Sequence, residues 1–530
     1  MKPPPVSLYD ATLRDGAQGE GVKFSVEDKL TLARKMDSLG IDYIEGGWPH
    51  PARPEDVEFF REARRRIRFT HSRLTAFGST RRSRVRAHED EGLKDLIAAR
   101  TPAVTIFGKA WDLHVKVVLR VTPEENLAMV GESVRVLKRA GREVVYDAEH
   151  FFDGYLSDPQ YAIATLRAAL VAGADWLVLC DTNGGMIPGR IREVMTAVRS
   201  RVPGRLGIHT HNDTECAVAN SLVAVELGAR QVQGTINGYG ERCGNANLCS
   251  IIPALKLKLG VDCVSDAQLR QLRGISLLAS ELVTKPPRDE MPWVGASAFA
   301  HKAGVHVHAV ERLPRTYEQA NPEATGNRRR ILVSDMAGLA TIRWKAEGYG
   351  LKLGKDDERG RRILSELKRL ESEGLTFEGA EASFELLVRR ITRGLKAPFE
   401  LVDFRVAVEQ KKGASVSEAT LKVKVGDQVE HTVAEGDGPV NALDSALRKA
   451  LGRFYPGVKA MHLTDYRVRV INPQAATAAK VRVTIETTDG ADTWSTVGVS
   501  ENIIEASWQA LADSVAYKLF KGKRRKPGKR

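Results

Sequence analysis

The sequence has no apolar run near the roughly 20 residues that a membrane-spanning helix needs. Its opening, MKPPPVSLYD, carries no apolar leader segment. Both absences argue against a membrane protein and predict a cytoplasmic one. Cysteine is sparse: Cys180, Cys216, Cys243, Cys249 and Cys263 form no CxxC pair and are odd in number, against a disulfide framework or a zinc ribbon. No GxGxxG follows the first strand-like run, which removes the main signal for a doubly wound dinucleotide-binding sheet. Histidine is sparse too, with 12 among 530 residues.

What is present is the balance of a globular protein, 42% hydrophobic and 28% charged, with chain enough for about two to four domains. The formal net charge of +13 sits largely in arginine-rich stretches such as REARRRIR (61–68) and in the end KGKRRKPGKR (521–530). The latter reads as a solvated, disordered basic tail. No nucleic-acid-binding motif accompanies it, so no nucleic-acid partner is expected, and a positive field also favours anionic substrates.

From residue 6 to about 260 one unit recurs: a β-rich run, a polar loop, an amphipathic helix. The strand-like runs are VSLYDATL (6–13), IDYIEGG (41–47), RLTAFGS (73–79), AVTIFGK (103–109), EVVYDAE (143–149), ADWLVLCDT (174–182), RLGIHTH (205–211) and RQVQGTING (230–238). SVEDKLTLARKMDSLG (25–40) shows the helical half, with Ser25 and Asp28 as a capping box and Gly40 as a stop. Eight such alternations predict an α/β fold, a (β/α)₈ TIM barrel over 1–265. Residues 266–395 read as a mainly helical linker subdomain with a loop-rich stretch from Pro286 to Arg330. Residues 396–520 are an α+β domain with an internal repeat of about 62 residues, read as strand–strand–helix twice. It is assigned a regulatory and dimerising role.

In such a barrel reactive groups sit at the C-terminal strand ends. Those ends offer Arg14, Asp15 and Gln18; Glu45; Tyr146 and Glu149; Asp181, Thr182 and Asn183; His209 and His211; and Asn237, Glu241, Arg242 and Asn245. In RLGIHTHNDTE (205–215), His209 and His211 fall at i and i+2 and so share one strand face. Two imidazoles and the Asp15 carboxylate make a facial donor set for a divalent ion, and Asn245 supplies a neutral oxygen. The open positions suit a Lewis acid that polarises a carbonyl.

The stretches LYDATLRDGAQGEG, HTHNDTECAVAN and GYGERCGNANLCSIIPAL resemble signatures of the metal-dependent Claisen-condensing synthases on a TIM barrel: the α-isopropylmalate, homocitrate and citramalate synthases. AHKAGVHVHAV (300–310) is similar to that family's HxxG[IV]H segment, and the repeat resembles its C-terminal effector-binding domain. The resemblance covers nearly the whole chain. EGGWP (45–49), in place of an E-x-G-F-P form, brings it nearest the citramalate branch.

The resemblance implies an acyltransferase that condenses acetyl-CoA with a 2-oxo acid, pyruvate in that branch, giving (R)-citramalate for isoleucine biosynthesis. It implies a Mg, Mn or Zn ion on Asp15, His209, His211 and Asn245, a homodimer, and an amino-acid effector, isoleucine. Arg14 would donate to the carbonyl oxygen or enolate, Thr182 would bind the substrate carboxylate, and His306 with Glu149 would take the acetyl proton. Tyr317 would help activate the hydrolytic water. Phe77, Phe107, Tyr146 and Trp48 stand near strand ends, where rings crowd an alkyl group and favour pyruvate's methyl; Tyr146 counts among the substrate contacts.

Structural alternatives stay open for several of these. For Arg14 the alternative is a helix cap or an ion pair with Glu45, for Thr182 a turn residue, and for Glu149 a structural acid bridging strands. His301 and His308 read as structural, GNRRR (326–330) as a basic turn and not a coenzyme A site, and Cys243 and Cys249 as outside the metal site. Turns at Gly436–Gly438 and Gly498 are the effector-site candidates. An isopropylmalate or homocitrate synthase, or more remotely an acyl-CoA lyase, is the alternative reading.

Overall fold

The computed structural model describes residues 3–524 apart from 284, 303, 335–336, 412–413, 472–473 and 475–478. The chain divides into two compact units, residues 1–299 with 320–329, and residues 300–319 with 330–530.

The first unit is the expected barrel. Its strands are β1 (Ser7–Asp10), β2 (Tyr43–Gly47), β3 (Arg73–Ser79), β4 (Ala103–Lys109), β5 (Glu143–Glu149), β6 (Trp176–Asp181), β7 (Leu206–Thr210) and β8 (Gln231–Gly234). They close in sequence order, all neighbours parallel, and β8 returns to β1 with Leu8 opposite Val232. The helices that follow each strand are α1 (Val26–Leu39), α2 (Pro54–Arg66), α3 (Glu91–Ala98), α4 (Pro123–Arg139), α5 (Pro159–Ala172), α6 (Pro188–Arg199), α7 (Ala217–Glu226) and α8 (Leu248–Leu257). Ser25 and Asp28 form the capping box at the start of α1, and Gly40 ends it in the left-handed region, φ 91°. Alternate strand residues face the helices and join one large apolar core; the others fill the barrel around Tyr9, Tyr43, Val145, Trp176 and Val178. Burial on both faces is why these strands read as near-continuous apolar runs.

At the N-terminal strand ends the polar groups close on one another. Tyr43 Oη donates to Glu143 at 2.6 Å, Trp176 Nε1 donates to Tyr43 Oη at 3.2 Å, and Arg73 pairs with Glu143 at 2.6 Å. The Arg205 guanidinium lies 4.9 Å over the Trp176 ring.

In the second unit, residues 304–312 form a helix inside the stretch read as loop, and helices Leu339–Gly348, Glu358–Ser372 and Glu381–Arg393 pack on Ile342, Ile363, Leu367 and Phe384. The repeat is confirmed but each half has three strands, not two. The halves are β9 (Glu400–Lys411), β10 (Ala414–Val425), β11 (Gln428–Gly436) with α9 (Pro439–Leu451), and β12 (His462–Val470), β13 (Val481–Thr488), β14 (Thr493–Ser500) with α10 (Ile503–Arg524). Each sheet is antiparallel in sequence order. The third strand of the first half escapes the sequence pattern because it is an edge strand with Val429 and Val433 exposed, reached by a hairpin in which Val425 pairs Gln428 directly. Both halves carry a register shift at the same place, Leu401/Asp403 and Leu463/Asp465.

Two expectations change here. Gly498 is not a turn but lies inside β14, where a Cβ would stand 2.1 Å from Ala506 O of α10; it permits helix packing. The basic tail is helical through Arg524, and residues 525–530 lie outside the described residues. Among the described residues no helix is long and apolar enough to cross a membrane.

Candidate active site

The C-terminal strand ends surround a cavity of about 230 Å³ lined by Arg14, Asp15, Gln18, Glu149, Thr182, His209, His211, Glu241 and Arg242, with Trp48, Phe77 and Phe107 on one wall. Asp15 stands in the tight turn after β1, where Arg14 N–H and Gly16 N–H both donate to Ala11 O. His209 belongs to β7, while His211 lies just past it, held by an isolated bridge to Asn245. Ala246 N–H donates to Thr210 O and Asn212 N–H to Gly244 O, so the loop after β8 is stitched to the end of β7. That loop, GYGERCGNAN, folds tightly around Asn245: a Cβ on Gly240 (φ 157°) would stand 2.2 Å from Asn245 Nδ2.

His209 Nε2 lies 3.4 Å and His211 Nε2 4.0 Å from Asp15 Oδ2. One donor atom from each residue falls within 4.8 Å of the others, all three residues being buried. Burial opposes ionisation of Asp15, but Arg14, His209 and His211 hold its carboxyl below the usual range. Burial beside His209 pulls His211 down to about 4, so at neutral pH its imidazole is uncharged and able to donate a lone pair. The Asn245 side chain donates to Tyr239 O at 3.2 Å, yet its Oδ1 is buried with no hydrogen-bond partner among the described residues. An orphaned oxygen beside two imidazoles and a carboxylate is what a bound divalent cation would satisfy. These residues fit such an ion.

Arg14 is fixed from three sides. It donates through Nε to Glu45, lies 3.5 Å from Asp15, and stacks over Phe77 with its guanidinium carbon 3.6 Å from the ring centroid. Glu45 is fully buried and also accepts from Tyr9 Oη, which is 2.7 Å from Thr105 Oγ1. The ion pair and the pocket position are therefore compatible. Trp48, Phe77 and Phe107 pack with centroids 5.5–6.0 Å apart. Thr182 Oγ1 accepts from His150 N–H at 2.9 Å, which leaves the hydroxyl hydrogen free to donate. Glu149 pairs with Lys109 at the end of β4.

Other sequence candidates fall elsewhere. Tyr146 does not reach the cavity; it is fully buried and faces the helix layer, its ring beside the position a Gly108 Cβ would take. Asp181 accepts from Gly185 N–H and Met186 N–H, each at 3.1 Å, Asn183 bonds to Asp153, and Asn237 binds Ser276 and Ser280. Cys243 is exposed and Cys249 buried with its thiol pushed up to about 12 by burial, so neither joins the donors. In the second unit His306 and Tyr317 stack at 4.2 Å and both are exposed. His301 Nε2 lies 3.3 Å from the buried Glu318, and His308 is exposed. In the first unit Asn327 of the GNRRR turn is buried and donates to Trp293 O and Gly295 O.

Sequence reading missed Asp147, Cys180, Lys109 and Gln233. Asp147 lies two residues before Glu149 and shares its strand face, as alternation alone would tell. Burial, then the nearby Glu45, pushes the Asp147 carboxyl well up.

Comparison with known proteins gives the family of the chain. The HMGL-like family model matches residues 5–278, the homocitrate synthase post-HMGL domain-like model 293–374, and the LeuA allosteric (dimerisation) domain model 378–519. An (R)-citramalate synthase of Geobacter sulfurreducens is 54% identical over 97% of this chain and 98% of its own length. One of Synechocystis is 51% identical over 97% and 96%. A 2-isopropylmalate synthase of Methanocaldococcus jannaschii is 30% identical over 97% and 94%. The barrel places this chain in the HMGL-like family, and similarity along almost its whole length places it within the family of the (R)-citramalate synthases.

Proposed function

We propose that the chain is an acyltransferase that condenses acetyl-CoA with pyruvate and water to (R)-citramalate and CoA. The observation that carries this reading is the buried Asp15–His209–His211 donor set beside Arg14, under an aromatic wall. A Mg, Mn or Zn ion held by these donors and Asn245 Oδ1 would supply Lewis acidity to a 2-oxo acid.

The chain's own groups supply the rest. Arg14 directs its free guanidinium N–H groups at the substrate carbonyl oxygen, and Glu45 and Phe77 keep it there without reorganisation as charge develops. Thr182 donates its hydroxyl hydrogen to the substrate carboxylate. His306, with Glu149, removes a proton from the acetyl methyl group. The resulting carbon pair attacks C2 of pyruvate, one C–C bond forms, and the carbonyl π pair becomes an alkoxide that takes up a proton. Water then replaces the thiolate at the thioester carbonyl, releasing CoA, and Tyr317, stacked on His306, aids that step. Trp48, Phe77 and Phe107 leave room for a methyl and crowd a branched alkyl group.

The same reading assigns the barrel (1–265) the chemistry, 266–395 a contribution to the active site, and 396–520 effector binding and homodimerisation, with isoleucine as effector in a cytoplasmic isoleucine pathway. A thiol-release assay with a panel of 2-oxo acids tests it. Pyruvate is expected to give the highest kcat/KM, with weak side activity on larger acids because one methylene discriminates by only about 1–3 kcal/mol. A higher kcat/KM for 2-oxoisovalerate would overturn the substrate assignment.

A further inference from the structure

A neutral imidazole has one bare nitrogen, so a histidine that ligates a cation must keep its proton on the other one. For His209 the surroundings in the barrel interior bear on which. His209 Nδ1 lies 2.9 Å from Gln233 Oε1, and Gln233 Nε2 lies 3.0 Å from Asp147 Oδ1 and 3.3 Å from Gln231 Oε1. With two oxygens in front of its NH₂ group, the Gln233 amide is oriented so that Oε1 faces His209. Nδ1 is then the donor, and Nε2, 3.4 Å from Asp15 Oδ2, is bare.

The strand register makes this contact. His209 of β7 is the direct parallel partner of Gln233 of β8, Gln231 lies two residues back on the same face, and Asp147 reaches in from β5. The four side chains are buried, from 0 to 5% exposed, so water does not compete for these bonds. His211 contrasts with this: it lies beyond the strand, and its Nδ1 is buried with no hydrogen-bond partner among the described residues.

We propose that Gln233, backed by Asp147, is a positioning residue that holds His209 in the Nδ1–H form and keeps Nε2 available to the cation. This rests on the metal reading above and extends it to the layer behind the donors. Removal of such a partner typically lowers metal affinity by about 10–100-fold.

The test uses the full-length protein, ¹⁵N-labelled at histidine and freed of metal with EDTA, with His209 assigned by the signal lost in His209→Asn. Long-range ¹H–¹⁵N spectra are expected to show the Nδ1–H tautomer at His209. In Mn²⁺ titrations Gln233→Met is expected to bind about 10–100-fold more weakly, while Gln233→Glu, which keeps an acceptor toward Nδ1, stays within a few fold. At saturating Mn²⁺ the Met variant recovers kcat, because Gln233 acts only through His209. An Nε2–H tautomer in the unsubstituted protein, or Mn²⁺ binding by Gln233→Met equal to it, overturns the proposal. If the unsubstituted protein does not bind Mn²⁺ at all, the metal reading fails, and the tautomer still tests the relay by itself.

Discussion

At the N-terminal end of the barrel Tyr43, Arg73, Glu143 and Trp176 satisfy one another's hydrogen bonds and charges. At the C-terminal end Asn245 Oδ1 and His211 Nδ1 are buried without hydrogen-bond partners among the described residues, and a carboxylate and two imidazoles crowd within 4.8 Å. The same eight strands carry both ends, so the difference is not one of fold. A closed set of polar groups holds structure, whereas groups left unsatisfied beside a cavity await a ligand. The contrast also separates stability from activity, because substitutions at the two ends should move different quantities.

The largest effect is expected at the closed end. Trp176→Ala removes a buried ring and a donor to Tyr43, and should lower unfolding free energy by about 3–5 kcal/mol in urea titrations while kcat stays near its original value. Next comes a pH effect at the open end. Burial raises the Asp10 carboxyl from 3.8 to about 7, where it accepts from Thr12 N–H and Thr12 Oγ1. The folded state thus binds this proton more tightly than the unfolded chain does. Its contribution is full below pH 4 and is lost as the pH rises through about 7, on the order of 4 kcal/mol over that span. Asp10→Asn should therefore show a flatter stability–pH curve, matching the unsubstituted protein near pH 4 and exceeding it at pH 8. A smaller effect falls on catalysis: the double variant Arg14→Gln/Glu45→Gln, which removes both members of that ion pair and leaves Asp15 only its two imidazoles, should lose about 10²–10³ in kcat with a modest change in Tm. Equal losses of activity from Trp176→Ala and from the double variant would erase the distinction between the ends.

The open end was largely legible in the sequence. Apolar strands separated by capped helices give the barrel, and His209, His211 and Asp15 stand where a barrel places reactive groups. Tyr146 misled because strand position alone does not say which face a residue takes; Asp147 and Glu149, its neighbours on β5, take the inner one. Gln233 was invisible, since a glutamine inside QVQG acquires meaning only when the register sets it beside His209. In the repeat, β11 was missed because an edge strand with exposed valines lacks the alternation that marks a half-buried one. Gly498 looked like a turn because sequence cannot tell a flexible glycine from one that admits a helix.

The central claim is that a divalent cation on Asp15, His209, His211 and Asn245 makes an oxo acid electrophilic toward acetyl-CoA. Thiol release from pyruvate and acetyl-CoA, measured before EDTA treatment, after it, and after readdition of Mg²⁺, Mn²⁺ or Zn²⁺, tests it most directly. The account predicts that chelation abolishes CoA release and that at least one of these ions restores it. Undiminished release from metal-free protein would contradict it.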